Sequence, residues 1–198
     1  MLLSSLEPIT LADRIVRLEP LAEFHRAGLR EAAVDPALWA HMFIDASTAG
    51  GFAGWFAEAM KVQGDGSALV FAVCRPEDGL PLGSTRYMNI SRRDGRLEIG
   101  STWYAAAAQG GAINPACKRL LLAHAFEALG AERVEFKTDA RNARSRAAIA
   151  KLGAVEEGTL RRHMLVQHGH LRDTVYFSVL KDEWPAVRAR LDARLAAM

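Results

Sequence analysis

Arg14-Ile15-Val16-Arg17-Leu18 alternates charged and apolar side chains, the period of a strand with one buried face. The period then changes. Leu21, Phe24, Leu29 and Ala32 recur at helical spacing, which predicts a helix over 21–33 with these four on its buried face and a stop at Asp35-Pro36. A second helix is predicted over 47–60, with Phe52, Trp55, Phe56 and Ala59 as its apolar stripe and Gly64-Asp65-Gly66 as the turn that follows. Three strands come next. The continuous apolar run 68–74 reads as a buried strand, and 82–90 and 97–104 as two more, the last pair joined by the hairpin turn Arg93-Asp94-Gly95.

From residue 105 the pattern shifts again. A loop of small residues, 105–114, leads into a helix for which Asn114 offers a cap and Pro115 a first position. Its stripe Leu120, Leu121, Ala125, Phe126 and Leu129 runs to Gly130, a natural stop. A strand over 133–138, a helix over 143–152 ending at Gly153, and an extended stretch over 154–166 follow. His168-Gly169 turns the chain into a strand over 171–180, and a last helix is predicted over 184–197. Hairpin strands followed by strand–helix–strand units predict a single α/β domain over 1–198, with a mixed, mostly antiparallel sheet and helices on both faces.

Composition narrows the function classes. Half of the 198 residues are hydrophobic and 24% are charged, as in an ordinary globular domain. A formal net charge of +2 supplies no global field for nucleic acid or an anionic membrane, so neither is expected as a partner. No apolar stretch approaches the length that spans a bilayer. The first eleven residues lack a basic start followed by a long apolar run, since Glu7 and Pro8 interrupt them; no signal peptide is expected. Cys74 and Cys117 do not make a disulfide framework, and a reducing, cytoplasmic location is the simpler expectation. Association of the chain with itself stays open.

Candidate chemistry lies at two strand-to-helix transitions. In the first, Gln109-Gly110-Gly111-Ala112-Ile113-Asn114 precedes a helix whose free N–H groups and dipole favour an anion. In the second, Asn142 can cap a helix or bond an amide-bearing ligand, while Arg141, Arg144 and Arg146 gather positive charge suited to phosphate. Taken singly, each is as well explained by an ordinary capped helix. Glu98 is a carboxylate in a strand of apolar or small residues, facing with Gly100 and away from Leu97 and Ile99; in a partly desolvated place it can take a proton from an amine. The plainer alternative is a surface glutamate paired with Arg86 or Arg96. Cys117, in the first turn of the loop helix, reads as a small buried apolar residue rather than a nucleophile. His163, His168 and His170 cluster near the last hairpin without a supporting ligand pattern, so no metal is expected.

With these segments in place, the chain resembles the Gcn5-related N-acetyltransferases (GNAT), in particular the branch of the ribosomal-protein acetyltransferases. The resemblance runs from Arg17-Leu18-Glu19-Pro20-Leu21 to Asp182-Glu183-Trp184. It is carried by Leu97-Glu98-Ile99-Gly100, by Asn142-Ala143-Arg144-Ser145 continuing to Lys151-Leu152-Gly153-Ala154, and by Glu157-Gly158-Thr159-Leu160-Arg161-Arg162 with Gly169-His170-Leu171-Arg172-Asp173. It implies a splayed sheet that binds acetyl-coenzyme A or a related acyl-coenzyme A, and acyl transfer to a primary amine by direct attack. Glu98 would be the base and Ser145 a hydroxyl beside the coenzyme sulfur. Ile99, Gly100, Ser101, the loop 109–114, Asn142 and Arg144 would contact the coenzyme. Trp39 and Phe43, in the region that roofs the acceptor pocket, would join Glu98 in binding the acceptor. The family's loop runs Gln or Arg, two variable residues, Gly, a variable residue, then Gly or Ala. Here Gln109 matches, while Ala112 and Asn114 stand at the later positions. An acyl-coenzyme A binder without catalysis is the alternative from another class; the presence of both Glu98 and Ser145 argues against it. The acceptor's identity and the acyl length stay open.

Overall fold

The computed structural model describes residues 3–198; residues 1 and 2 of the N-terminal stretch considered above lie outside the described residues. Eight strands form one sheet in the order β1-β2-β3-β4-β5-β6-β8-β7. They are β1 (Leu11–Ala12), β2 (Arg17–Pro20), β3 (Leu69–Cys74), β4 (Pro81–Ser91), β5 (Arg96–Tyr104), β6 (Arg133–Asp139), β7 (Val155–Leu165) and β8 (Leu171–Leu180). The helices are α1 (Arg26–Ala32), α2 (Ala49–Gly64), α3 (Ile113–Ala123), α4 (Ala143–Leu152) and α5 (Trp184–Ala196). All strand pairs are antiparallel except β5 with β6.

Alternation along the strands sorts the apolar side chains into two cores. Leu69, Phe71 and Val73 of β3, Leu97 and Ile99 of β5 and Val134 and Phe136 of β6 pack with the residues of α3, α4 and α5. Val70, Ala72 and Cys74 point the other way, into the aromatic cluster of Trp39, Phe52, Trp55, Phe56 and Trp103 under α1 and α2. Helices therefore cover both faces, as the pattern predicts.

The chain departs from that reading where local geometry overrides periodicity. It enters α1 through a 3₁₀ turn, Glu23–His25, whose tighter winding rotates the side chains. Phe24 is 76% exposed and His25 is buried in its place, accepting from the Ala22 N–H and facing Glu19 at 3.2 Å. α2 starts at the Thr48 cap and runs a turn further than predicted. α3 begins at Ile113 without a side-chain cap; Asn114 instead accepts the Tyr104 hydroxyl at 3.2 Å. Its far end widens into a π turn, His124–Ala128. The pair β1 with β2 forms a short hairpin through Asp13, which accepts the N–H groups of Ile15 and Val16.

Tyr87 ties the sheet to α3 just before that π turn. Its buried hydroxyl donates to the Leu121 carbonyl at 2.6 Å, and burial holds the phenol protonated far above its ordinary range. Tyr87→Phe keeps the ring and removes this bond. It is expected to lower the unfolding free energy by about 1 kcal/mol, read as a lower urea midpoint with an unchanged slope.

Candidate active site

The parallel strands β5 and β6 pair only at Arg96 with Arg133, Leu97 with Val134 and Glu98 with Glu135. Beyond Glu98 they part. β5 continues to Tyr104 alongside β4, and β6 continues to Asp139 alongside β8. The wedge between them opens toward the C-terminal ends of both strands, and each end leads into one of the two strand-to-helix transitions. A crevice at the carboxyl ends of parallel strands is where α/β sheets hold ligands.

Two bulges flank the wedge. On β5 the register with β4 shifts between Gly100 and Trp103, with Ser101 at φ +48. On β4 it shifts beyond Met88, with Asn89 at φ +49. Bulges re-aim side chains beside active sites, and here Asn89 Nδ2 donates to Glu98 Oε2 at 2.7 Å. The same oxygen receives Lys137 Nζ at 2.8 Å. Lys137 also reaches Glu135 at 3.3 Å and lies 4.7 Å from the Tyr176 ring centre. Burial disfavours the Lys137 ammonium, but the bond to Glu98 and the charges around it outweigh that and raise its pKa. Glu98 itself is 6% exposed. Its other oxygen, Oε1, faces Gly100, where an added Cβ would lie 2.8 Å from it and 2.9 Å from the Met88 sulfur; only glycine fits beside the carboxylate.

This carboxylate lines a cleft of about 1120 Å³ with Lys137, Tyr176, Arg172, His163 and Phe43 among its walls. Phe43 belongs to the segment between α1 and α2. That segment is tied down by Gln167, which donates to the carbonyls of Trp39 and Met42 at 2.8 and 2.9 Å. The structure does not bring Trp39 to the cleft. It is fully buried, its ring packs tilted against Trp103 with centres 5.1 Å apart, and its Nε1 donates to the Ala33 carbonyl. Arg86 pairs with Glu58 and Arg96 with Asp94 and Glu135, so neither arginine is the partner of Glu98.

At the first transition, Gln109 Nε2 closes the loop on the Tyr104 carbonyl at 2.7 Å, and Gly110 takes φ +79. Among the described residues, the N–H groups of Gly110, Gly111, Ala112, Ile113 and Asn114 meet no protein acceptor. This is a row of donors at the start of a helix, a fit for an anionic group. At the second, Asn142 caps α4 through its carbonyl oxygen, which accepts the Ser145 N–H at 2.9 Å, so its amide N–H groups stay available. The basic cluster is thinner than the sequence implies. Arg141 is committed to Asp139 and Arg146 to Glu156, leaving exposed Arg144 as the arginine there without an ion pair among the described residues.

Two cysteines and one lysine complete the surroundings. Cys74 and Cys117 are free and buried, and burial pushes both thiols up to about 12. The predicted histidine cluster forms no metal cage; the one grouping of metal-type ligands among the described residues is Glu19, His25 and Cys74. Lys118 reaches from α3 to Thr102 on β5 at 2.9 Å and lies 5.9 Å from the Phe136 ring of β6. It therefore bridges the α3-side face of the wedge, and burial lowers its pKa to about 8.

The family model for the acetyltransferase (GNAT) domain matches residues 16–155, and the chain belongs to that family of acyltransferases, which use acetyl-coenzyme A. Among relatives, it is 36% identical over 107 residues to YdaF of Bacillus subtilis (strain 168), which carries the name of a ribosomal N-acetyltransferase. That match covers 54% of this chain and 57% of the relative, so the chain spans little more than half of that relative's length. A GCN5-related N-acetyltransferase from Brucella melitensis superposes with TM-score 0.90 at 30% identity, over 98% of this chain and 88% of its own. RimJ of Mycobacterium smegmatis, solved with CoA-disulfide, superposes with TM-score 0.80 at 26% identity, over 94% and 95% of the two chains.

Lys118 carries a pH-dependent cost. Its folded pKa of about 8 lies below the ordinary 10.5, so the unfolded chain binds this proton more tightly. The cost is fully present below pH 8 and fades as pH rises toward 10.5. Lys118→Met is expected to be more stable than the parent at pH 7 by up to about 3 kcal/mol, less what the Thr102 bond contributes. That margin should shrink steadily between pH 8 and pH 10.5, as read by urea unfolding at a series of pH values.

Proposed function

We propose that the protein transfers an acetyl or other short acyl group from acyl-coenzyme A to a primary amine, and that the amine is the end of a peptide chain. The observation that carries this reading is Glu98: a buried carboxylate in the cleft wall, with Oε2 held by Asn89 and Lys137 and Oε1 beside Gly100 without a hydrogen-bond partner among the described residues. A base fixed in this way can take the proton of an attacking ammonium or amine without moving. The open row of N–H groups from Gly110 to Asn114 receives the pyrophosphate in this reading, with Arg144 nearby, and the amide of Asn142 bonds the pantetheine chain. The bulge at Ser101 interrupts the ladder beside Glu98 and frees backbone donors to polarise the thioester carbonyl. In this reading the Ser145 hydroxyl, without a protein partner among the described residues, returns a proton to the departing thiolate. Attack is direct: the C–N bond forms, the C–S bond breaks, and no side chain is acylated. The name of YdaF, a ribosomal N-acetyltransferase, favours a protein acceptor, and the broad cleft has room for a chain end.

Coenzyme A at about a hundredfold above its Kd should add about 2.7 kcal/mol to stability. Glu98→Gln should keep that stabilisation and lose turnover by about 10²–10⁴-fold at neutral pH. Part of the rate should return at high pH, where more of the amine is already neutral. Mass spectrometry of the acylated amine and thermal unfolding with and without coenzyme check the two halves. A variant that matches the parent at every pH removes Glu98 from the chemistry.

A further inference from the structure

Buried charges around the wedge are paired, with two exceptions. Arg86 meets Glu58, Lys137 meets Glu98, Glu135 meets Arg133 and Asp139 meets Arg141. Lys118 and Arg172 have no carboxylate partner among the described residues. Lys118 can escape its cost by releasing a proton. Arginine has no such escape, because its guanidinium stays charged.

Arg172, on β8, is 6% exposed. Its Nε donates to Thr174 Oγ1 at 2.9 Å, and its Nη2 has only the thioether sulfur of Met164, at 3.4 Å, a weak acceptor. The ring of Phe43 covers one face of the group at 4.9 Å. Burial lowers its pKa against the more distant charges of Asp139, Glu98 and Tyr176. Arg172 is one of the residues that line the cleft. Its lining holds the cations Arg92, Arg96, Lys137 and Arg172 against two carboxylates, Glu98 and Glu135, and both of these are already paired. A cleft built only for an ammonium would carry the opposite balance.

Register gives the span. Tyr176 lies opposite Lys137 and Thr174 opposite Asp139, so the guanidinium bound to Thr174 sits one strand repeat beyond Lys137 and two strands across from Glu98. Two strand spacings put the strands that carry the two groups about 10 Å apart across the sheet, before any offset along them. An α-amino acid carries its amine and carboxylate on one carbon and cannot reach both groups. A peptide adds about 3.3 Å per residue, and an acidic side chain at its second or third position can.

Resting on the acyl-transfer reading above, we propose that Arg172 is a specificity residue that binds a carboxylate of the acceptor, and that the preferred acceptor is a peptide chain end with an acidic residue at position two or three.

Acyl transfer to matched peptides with Glu or Gln at those positions, to free glutamate and to simple amines tests this. The parent should favour the Glu peptides by at least about tenfold in kcat/KM. Arg172→Gln should raise the KM of the Glu peptides by about 10–100-fold with little change in kcat, so that the preference for Glu over Gln peptides is lost, and should keep the thermal stabilisation by coenzyme A. Arg172→Lys, which retains the charge, should keep part of the preference. Equal rates on Glu and Gln peptides, or free glutamate as the better acceptor, would overturn the inference while leaving amine acylation standing. No transfer to any amine overturns both readings.

Discussion

Everything at the candidate site depends on where β5 and β6 stop pairing. Three parallel pairs hold the two halves of the sheet together, and beyond them each strand is held by an antiparallel neighbour instead. Once the ladder ends, the backbone groups lining the wedge need partners that the sheet no longer supplies. The fold answers differently on its two faces. On the α3 side, Lys118 and Thr102 fill part of the gap. On the other side, Glu98, Lys137 and Asn89 close it with charge. The last paired residue of β5 is also the first that faces the opening, so one carboxylate stands both at the end of the shared ladder and in the wall of the cleft.

The two cores set this geometry from below. Apolar residues on alternate positions of β3 to β6 lock α3, α4 and α5 to one face and the aromatic cluster under α1 and α2 to the other. Slippage of β5 by one residue would turn Glu98 into the apolar core. The bulges at Asn89 and Ser101 adjust the register without paying that penalty, because each adds one residue to only one strand. The segment that carries Phe43 is bound in turn to the turn between β7 and β8 through Gln167, so residues distant in sequence hold this wall of the cleft together.

Much of this was legible in the sequence. β8 and α4 fall on the predicted residues, most other elements fall within a few residues, and the alternation Leu97-Glu98-Ile99-Gly100 assigns Glu98 its face. What escaped depends on contacts between distant elements. Lys137 carries a local signal, since Arg133, Glu135, Lys137 and Asp139 alternate along one face of β6, but its pairing with Glu98 follows only from the β5–β6 register. Arg172, Thr174 and Tyr176 alternate on β8 in the same way. The aromatic segment after α1 mixes core and cleft residues at adjacent positions: Trp39 goes inward and Phe43, 51% exposed, stays out. Periodicity cannot separate them in a segment with no regular period. The arginines near Asn142 looked convergent because a sequence does not show that Asp139 and Glu156 claim two of them.

The burial of both cysteines has a practical side. A thiol that ionises only near pH 12 and lies inside a packed core reacts slowly with aromatic disulfides and maleimides at neutral pH. The sulfhydryl set free when an acyl group leaves its thioester would then be the dominant reactive sulfur in the solution. Colorimetric titration of that sulfur should follow each turnover with little background from the folded protein, and a slow rise in reactive thiol without substrate would report unfolding instead.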